Sequence, residues 1–328
     1  MLGLGAAAAS SLLLPGCSRG RADEPAPSGP ATFVTGNEGG VYAMFGAALS
    51  GLVSEVTGME LKPITSNGSV ENLIKVANGN ADMGFSTSDS ALAAYEGSGQ
   101  FASGRLPFST LARVYDNYVH VVVPMASTIS KLEDIKEDMV VSVGPVDSGT
   151  KVVADLILAT AGLNVKKRHL TLEQAVAQLS AKAKNDRTTP GIDALIWSGG
   201  VPTNPIKDLQ NSIGFRLVDI GHVAEQIALK RFGGYVVSAI PPSQYGLASS
   251  VPTLAIPNYL LATPTLSDSW AWWTVNTLFR RQNDLVGDPK DPARYHPEAG
   301  ELDPRSAIAT MPIPLHPAAE NWFRNNHI

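Results

Sequence analysis

The fold is decided by the stretch Leu61-Lys62-Pro63-Ile64-Thr65-Ser66-Asn67-Gly68-Ser69-Val70-Glu71-Asn72-Leu73-Ile74-Lys75-Val76-Ala77-Asn78-Gly79-Asn80-Ala81-Asp82-Met83-Gly84-Phe85-Ser86-Thr87-Ser88-Asp89. Leu61–Thr65 reads as a short strand. Ser66-Asn67-Gly68 is a turn, and Ser69 is expected to cap a helix over Val70–Ala77 that stops at Asn78-Gly79. Asp82–Phe85 is a second strand, and Ser86–Asp89 opens a helix over Ser90–Tyr95. A strand, a Gly/Ser/Asn loop, a helix and another strand within thirty residues form the unit of a parallel sheet with helices on its faces.

The unit recurs on both sides of this stretch. Upstream, strand Ala31–Thr35 and loop Gly36–Gly40 precede a helix over Val41–Val56 that ends at Gly58. Downstream come the β-branched run Val114–Val123, a short helix over Ile129–Ile135, and strand Met139–Val143. Loop Gly144–Gly149 and a helix over Thr150–Ala161 follow. The pattern continues with strand Val165–His169, helix Leu172–Ala183 and strand Ile192–Trp197. Gly79-Asn80-Ala81-Asp82 before one strand is echoed by Gly191-Ile192-Asp193 before another, as two similar lobes would require. A further strand, Thr253–Leu261, leads into an aromatic helix over Leu266–Asp284, whose Trp270, Trp272, Trp273 and Phe279 read as packing residues.

The full chain has 328 residues, 44% hydrophobic and 17% charged, with a net charge of −5. That suits a globular protein with room for two domains. Its Lys and Arg form no stripe, so no nucleic-acid partner is expected. Cys17 is the one cysteine. It excludes an internal disulfide and a cysteine zinc site, and it ends an apolar leader too short to span a bilayer. Leu14-Pro15-Gly16-Cys17 resembles a bacterial lipobox. Residues 1–17 are therefore read as a lipoprotein signal with Cys17 as the lipidation site, and the Pro/Gly/Ser-rich residues 18–30 as a flexible tether.

The chemistry lies in loops that open helices: Gly36–Gly40, Asn67–Ser69, Ser86–Asp89 and Ser148–Thr150. Unpaired amides and the positive end of the helix dipole make such places anion sites. Gly144-Pro145-Val146-Asp147-Ser148-Gly149-Thr150-Lys151 has phosphate-loop glycines, but Thr-Lys replaces the Lys-Thr that nucleotide binding needs. No G-x-S-x-G nucleophile elbow occurs, and the six histidines never pair at metal-ligand spacing. No catalytic residues, metal or cofactor are expected. An enzyme on the same fold and a ligand sensor for a membrane signalling partner stay as alternatives to a transport receptor.

Thr35-Gly36-x-x-Gly39-Gly40-Val41-Tyr42, Asn67-Gly68-Ser69-Val70-Glu71-Asn72-Leu73 and Ala81-Asp82-Met83-Gly84-Phe85-x-x-Ser88-Asp89 resemble blocks of the TAXI family of solute-binding proteins. So do Val141–Thr150, Trp197–Pro202, Val251–Thr253 and Pro312–Pro317, in the same order. The resemblance implies an α/β, two-lobed, type II periplasmic-binding fold, each lobe a mostly parallel sheet flanked by helices. Lobe 1 would comprise residues 31–118 and 241–328, and lobe 2 residues 119–240. It also implies a monomeric extracytoplasmic receptor, lipid-anchored to the cell membrane or periplasmic. Such a receptor holds a small anionic solute, glutamate or a related dicarboxylate, for a TRAP-type membrane permease. Ligand contacts are implied at Gly39, Gly40, Tyr42, Asn67, Ser69, Ser88, Ser148, Thr150, Trp197 and Gly200. Ala43 and Thr87 depart from the family pattern, and Ala183–Pro190 looks like an inserted surface loop. Arg113 is a possible carboxylate partner near the hinge, with a surface role as the simpler reading.

Overall fold

A computed structural model describes residues 24–230, 234–291 and 295–327. Cys17 and the lipobox lie outside the described residues. The elements run β1 (Ala31–Val34), α1 (Val41–Thr57), β2 (Leu61–Ile64), α2 (Ser69–Ala77), β3 (Met83–Thr87), α3 (Ser88–Glu96), β4 (Ser109–Pro124) and β5 (Val140–Ser142). They continue α4 (Gly149–Thr160), β6 (Lys166–Arg168), α5 (Leu172–Ala183), β7 (Ala194–Gly199), α6 (Asn204–Ser212), β8 (Phe215–Leu217), α7 (Gly221–Lys230) and β9 (Val236–Ile240). The last are α8 (Pro242–Tyr245), β10 (Val251–Ala262), α9 (Asp268–Arg280), α10 (Gln282–Val286), α11 (Pro304–Ala307) and α12 (Pro317–Asn325).

One ten-stranded sheet, ordered β2-β1-β3-β10-β4-β7-β5-β6 with β8 also on β4 and β9 also on β10, passes through both lobes. In lobe 1, β1 pairs parallel with β2 and β3; in lobe 2, β5 pairs parallel with β6 and β7. Each trio is completed by a long antiparallel strand arriving from the other lobe, β10 beside β3 and β4 beside β7. These two strands pair with each other from Ala255↔Tyr118 to Ala262↔Ser109 and are the crossing between lobes. Their register slips between Pro257 and Tyr259, where proline offers no ladder donor.

The sequence echo has a structural counterpart. The Asp82 carboxylate accepts from Thr32 N at 2.8 Å, and the Asp193 carboxylate accepts from Val140 N at 2.9 Å. In each lobe, an aspartate just before the third strand pins the start of the first. Four apolar clusters cover the sheet faces, two per lobe. Phe33, Phe45, Phe85 and Trp270 centre one cluster of lobe 1, and Val34, Leu73 and Ala91 the other. Lobe 2 packs around Val121, Val141 and Ile157 on one face and Leu172, Leu195 and Phe215 on the other. Tyr245, Leu254 and Ile256 belong to the lobe 2 clusters, so the chain returns to lobe 1 near Asn258, later than the expected 240/241 boundary.

Several local expectations shift. Ser69 is the first residue of α2 rather than its cap, and Gly68, with φ 118°, holds the cap position. The Ser69 hydroxyl is taken instead by Thr87 N at 3.1 Å. The aromatic helix breaks at Arg281 into α9 and α10. Phe279 stacks on Trp322 with centroids 5.4 Å apart, the expected packing role. The predicted tether is held from residue 24 onward. Trp273 Nε1 donates to Glu24 O at 3.1 Å and Trp270 Nε1 to Gly29 O at 3.1 Å, so two indoles hold a Pro-rich strap on α9. Trp273→Phe should speed amide exchange over residues 24–29 while moving global stability by less than about 1 kcal/mol, one exposed-edge hydrogen-bond set being lost.

Candidate functional site

Where the lobes meet, the carboxyl ends of β1, β2, β3, β5 and β7 converge, the place where open α/β sheets take ligands. A cavity there is lined by Gly36, Asn37, Gly40, Val41, Tyr42, Asn67, Gly68, Ser69, Thr87, Asn117, Ser148, Gly149, Thr150, Trp197, Ser198 and Gly199. Water-molecule centres can occupy about 40 Å³ of it, so the lobes are closed over a small space.

Three helices aim their first turns at this cavity. α1 and α2 start without a side-chain cap. Val41, Tyr42, Ser69, Gly149 and Thr150 are first-turn residues of α1, α2 and α4 that line the space, and their amides have no intrahelical acceptor. At α2 the Glu71 N amide, two residues on, already crosses the seam to Asp147 O at 3.0 Å. At α4, Ser148 Oγ takes Lys151 N at 3.1 Å. The fourth expected loop behaves differently. α3 satisfies its own start, with Ser90 N donating to Asp89 Oδ1 at 2.6 Å, while Ser88 Oγ donates to Gly234 O at 3.2 Å. Ser88 is therefore a seam residue.

Gly39 and Gly200 also leave the cavity for the seam. A Cβ at Gly39 would fall 2.6 Å from Glu173 Oε1, and one at Gly200 would fall 2.9 Å from Glu298 Oε1. Gly40, Tyr42, Asn67, Ser69, Ser148, Thr150 and Trp197 all line the space, with exposed Asn67 at its rim. Asn37, Thr87, Asn117 and Ser198 line it too, outside the contact set implied by the resemblance, although Asn37 and Thr87 lie in the helix-opening loops Gly36–Gly40 and Ser86–Asp89. Arg113 is paired with Asp116 at 2.7 Å and does not line the cavity.

The floor is a buried polar network. Tyr42 stacks on Phe85 with centroids 5.0 Å apart, and its hydroxyl donates to Asn258 Oδ1. Burial raises the Tyr42 pKa, so the phenol stays a donor. Asn258 Nδ2 in turn donates to Asn117 Oδ1 at 2.9 Å and to Tyr115 O at 3.0 Å. Asn117 and Asn258 lie on the two crossing strands, so the network joins cavity to hinge.

Three cavity residues carry buried atoms with no protein partner: Asn37 Oδ1, Trp197 Nε1 and Ser198 Oγ. The Asn37 amide is oriented by Nδ2 donating to Ser66 O at 2.8 Å, which leaves its Oδ1 as the acceptor. Buried polar atoms without partners cost about 1–3 kcal/mol each, which a bound solute can recover. Among the described residues, no charged side chain lines the cavity, and the open mouth beside it carries Glu38, Glu71 and Glu173. Any negative charge inside is met by helix ends and neutral donors. His120, buried behind the site, bonds Tyr118 O at 3.0 Å and Tyr245 OH at 2.9 Å and is pushed down to about 4 by desolvation, a packing histidine.

Two solved structures share this fold. The periplasmic binding protein BugD superposes with a TM-score of 0.57 at 13% identity, covering 92% of this chain and 98% of BugD. MatC from Rhodopseudomonas palustris, solved with bound malate, gives 0.57 at 12% identity, covering 92% and 99%. The architecture is thus the two-lobed periplasmic-binding-protein fold. From residue 33 to residue 326 the sequence matches one family model, so the chain belongs to the NMT1-like family.

Proposed function

We propose that this protein is an extracytoplasmic solute receptor of the TAXI type, which closes its lobes on a small anionic solute and presents it to a TRAP-type membrane permease. The observation that carries the reading is the convergence of three helix starts on one interlobe cavity that has no charged lining. Backbone amides there can hold a carboxylate without a counter-cation. Tyr42 and Trp197 would wall the solute, and Ser69, Ser148, Thr150 and Asn67 would add donors and acceptors. MatC, which shares the fold, was solved with malate, a small carboxylate.

A thermal-shift screen of dicarboxylates, acidic amino acids, sugars and phosphates tests the reading. A true solute at about 100 times its Kd adds about 2.7 kcal/mol and raises Tm by several degrees. A shift only with neutral or cationic solutes would overturn the anion assignment. With the responding solute in hand, Trp197→Phe should weaken binding about tenfold, because the lost indole N–H has no protein partner and is free for the solute, and should lower Tm modestly, because the smaller ring leaves a void in its buried cluster. Asn67→Ala and Thr150→Val should also weaken it. Thr150→Val should in addition cost about 1–2 kcal/mol of stability, since Ser198 N loses its acceptor.

A further inference from the structure

Glu298 lies in the short 3-10 turn Pro297–Glu301 of lobe 1 and is 3% exposed. Its cover comes partly from the other lobe. The bare Cα of Gly200 packs on it so closely that an added Cβ would stand 2.9 Å from both Glu298 Cγ and Oε1. Among the described residues, its own backbone N–H favours the charged form, and Glu301 on the same turn opposes it. β4 brings Tyr115, whose buried hydroxyl has no partner, while Arg113 and Asp116 of that strand act on Glu301. α8 of lobe 2 brings Tyr245, whose hydroxyl is occupied by His120 and Thr203 N. α10 contributes the neutral amide of Gln282, and burial lowers the pKa of His296, at the head of the turn.

A carboxylate sealed in such a seam is costly, whereas a carboxylic acid is not. We propose that closing the lobes takes up one proton at Glu298, so that acidity favours the closed, solute-holding form and alkalinity favours opening. When lobe 2 swings away, Gly200 and Tyr245 leave with it and water reaches the carboxyl, which then ionises in its ordinary range. In the closed form, burial pushes the same group up to about 8. The sign follows by linkage: a raised pKa makes closure fully favoured below the ordinary carboxylate range and progressively lost as pH rises through about 8. Asp89, half-buried at the seam, is the comparison. Burial raises its pKa too, but Tyr235 OH, donating at 2.7 Å across the lobes, and Ser90 N oppose that rise, donors that Glu298 lacks.

The test is small-angle scattering of the solute-free protein from pH 6 to pH 10, with circular dichroism to confirm folding. The expected result is a compact radius of gyration at pH 6 that expands as pH rises toward and through about 8. Glu298→Gln should stay compact throughout, and Asp89→Asn should keep the transition. A wild-type radius that is flat in pH, or a transition that survives in Glu298→Gln, overturns the proposal. The inference rests on the reading of the molecule as a receptor that opens and closes, and the two fail differently. A radius that contracts with a solute but not with acid removes only the proton step, whereas a radius that answers neither removes both.

Discussion

Gly149→Val is expected to leave both lobes folded yet unable to close, with solute affinity reduced about a hundredfold. Gly149 opens α4 on lobe 2 and faces lobe 1 across the cavity. A Cβ there would sit 2.7 Å from Ser69 Oγ, 3.0 Å from Thr87 Oγ1 and 3.1 Å from Ser69 Cβ. All three atoms belong to lobe 1, so the overlap strains the closed arrangement and not either core. Overpacking of this kind costs about 1–3 kcal/mol, and each 1.4 kcal/mol is tenfold in affinity. Gly149→Ala should fall between wild type and valine. Scattering reads the lobe separation and calorimetry the affinity; a valine variant that closes to the wild-type radius on solute would sink the argument.

The second large effect is expected at the crossing. Asn258→Ala should lower stability by about 3–5 kcal/mol, measured by urea unfolding. Asn258 is 0% exposed, and its amide is the common partner of Tyr42 OH, Asn117 Oδ1 and Tyr115 O. Truncation strands Asn117 Oδ1 and Tyr115 O and leaves Tyr42 OH only a 3.5 Å contact to Ser69 Oγ, each unpaired group costing about 1–3 kcal/mol, with partial relief if water enters. A loss under about 1 kcal/mol would show that the network is replaceable. Because Tyr42 lines the cavity, solute binding should weaken in the same variant.

The lobes and most helix starts were legible in the sequence because they are local. Alternation of short strands with Gly/Ser/Asn loops needs only neighbours along the chain, and residues 61–89 fold much as their pattern reads. The Asp82 and Asp193 echo was visible for the same reason. What escaped depends on partners far away in sequence. Asn117 and Asn258 look like ordinary strand residues until β4 and β10 are laid side by side. Gly39, Ser88 and Gly200 sit in glycine- and serine-rich loops of the right composition, but the docking of lobe on lobe sends them to the seam. Ser198, next to the expected Trp197, was missed because a hydroxyl in a Ser-Gly-Gly turn reads as turn chemistry. Residues 24–29 read as tether by composition, and it is the indoles of α9, with Ser269 Oγ, more than two hundred residues on, that hold them down.

The placement of β10 also sets an order of assembly. It lies between β3 and β4, so lobe 1 lacks an interior strand of its own sheet until residues 251–262 exist. At about 5–20 residues per second, synthesis from the end of β4 to the start of β10 takes roughly ten seconds. During that interval β3 and β4 present unpaired edges and the apolar residues that Leu260 and Leu261 will cover. Lobe 2 receives all but one of its sheet strands before β10 appears, and it can condense first. The lobe that begins the chain is therefore the last to close its core. This high-contact-order route keeps the nascent protein loosely folded for longer than its composition suggests.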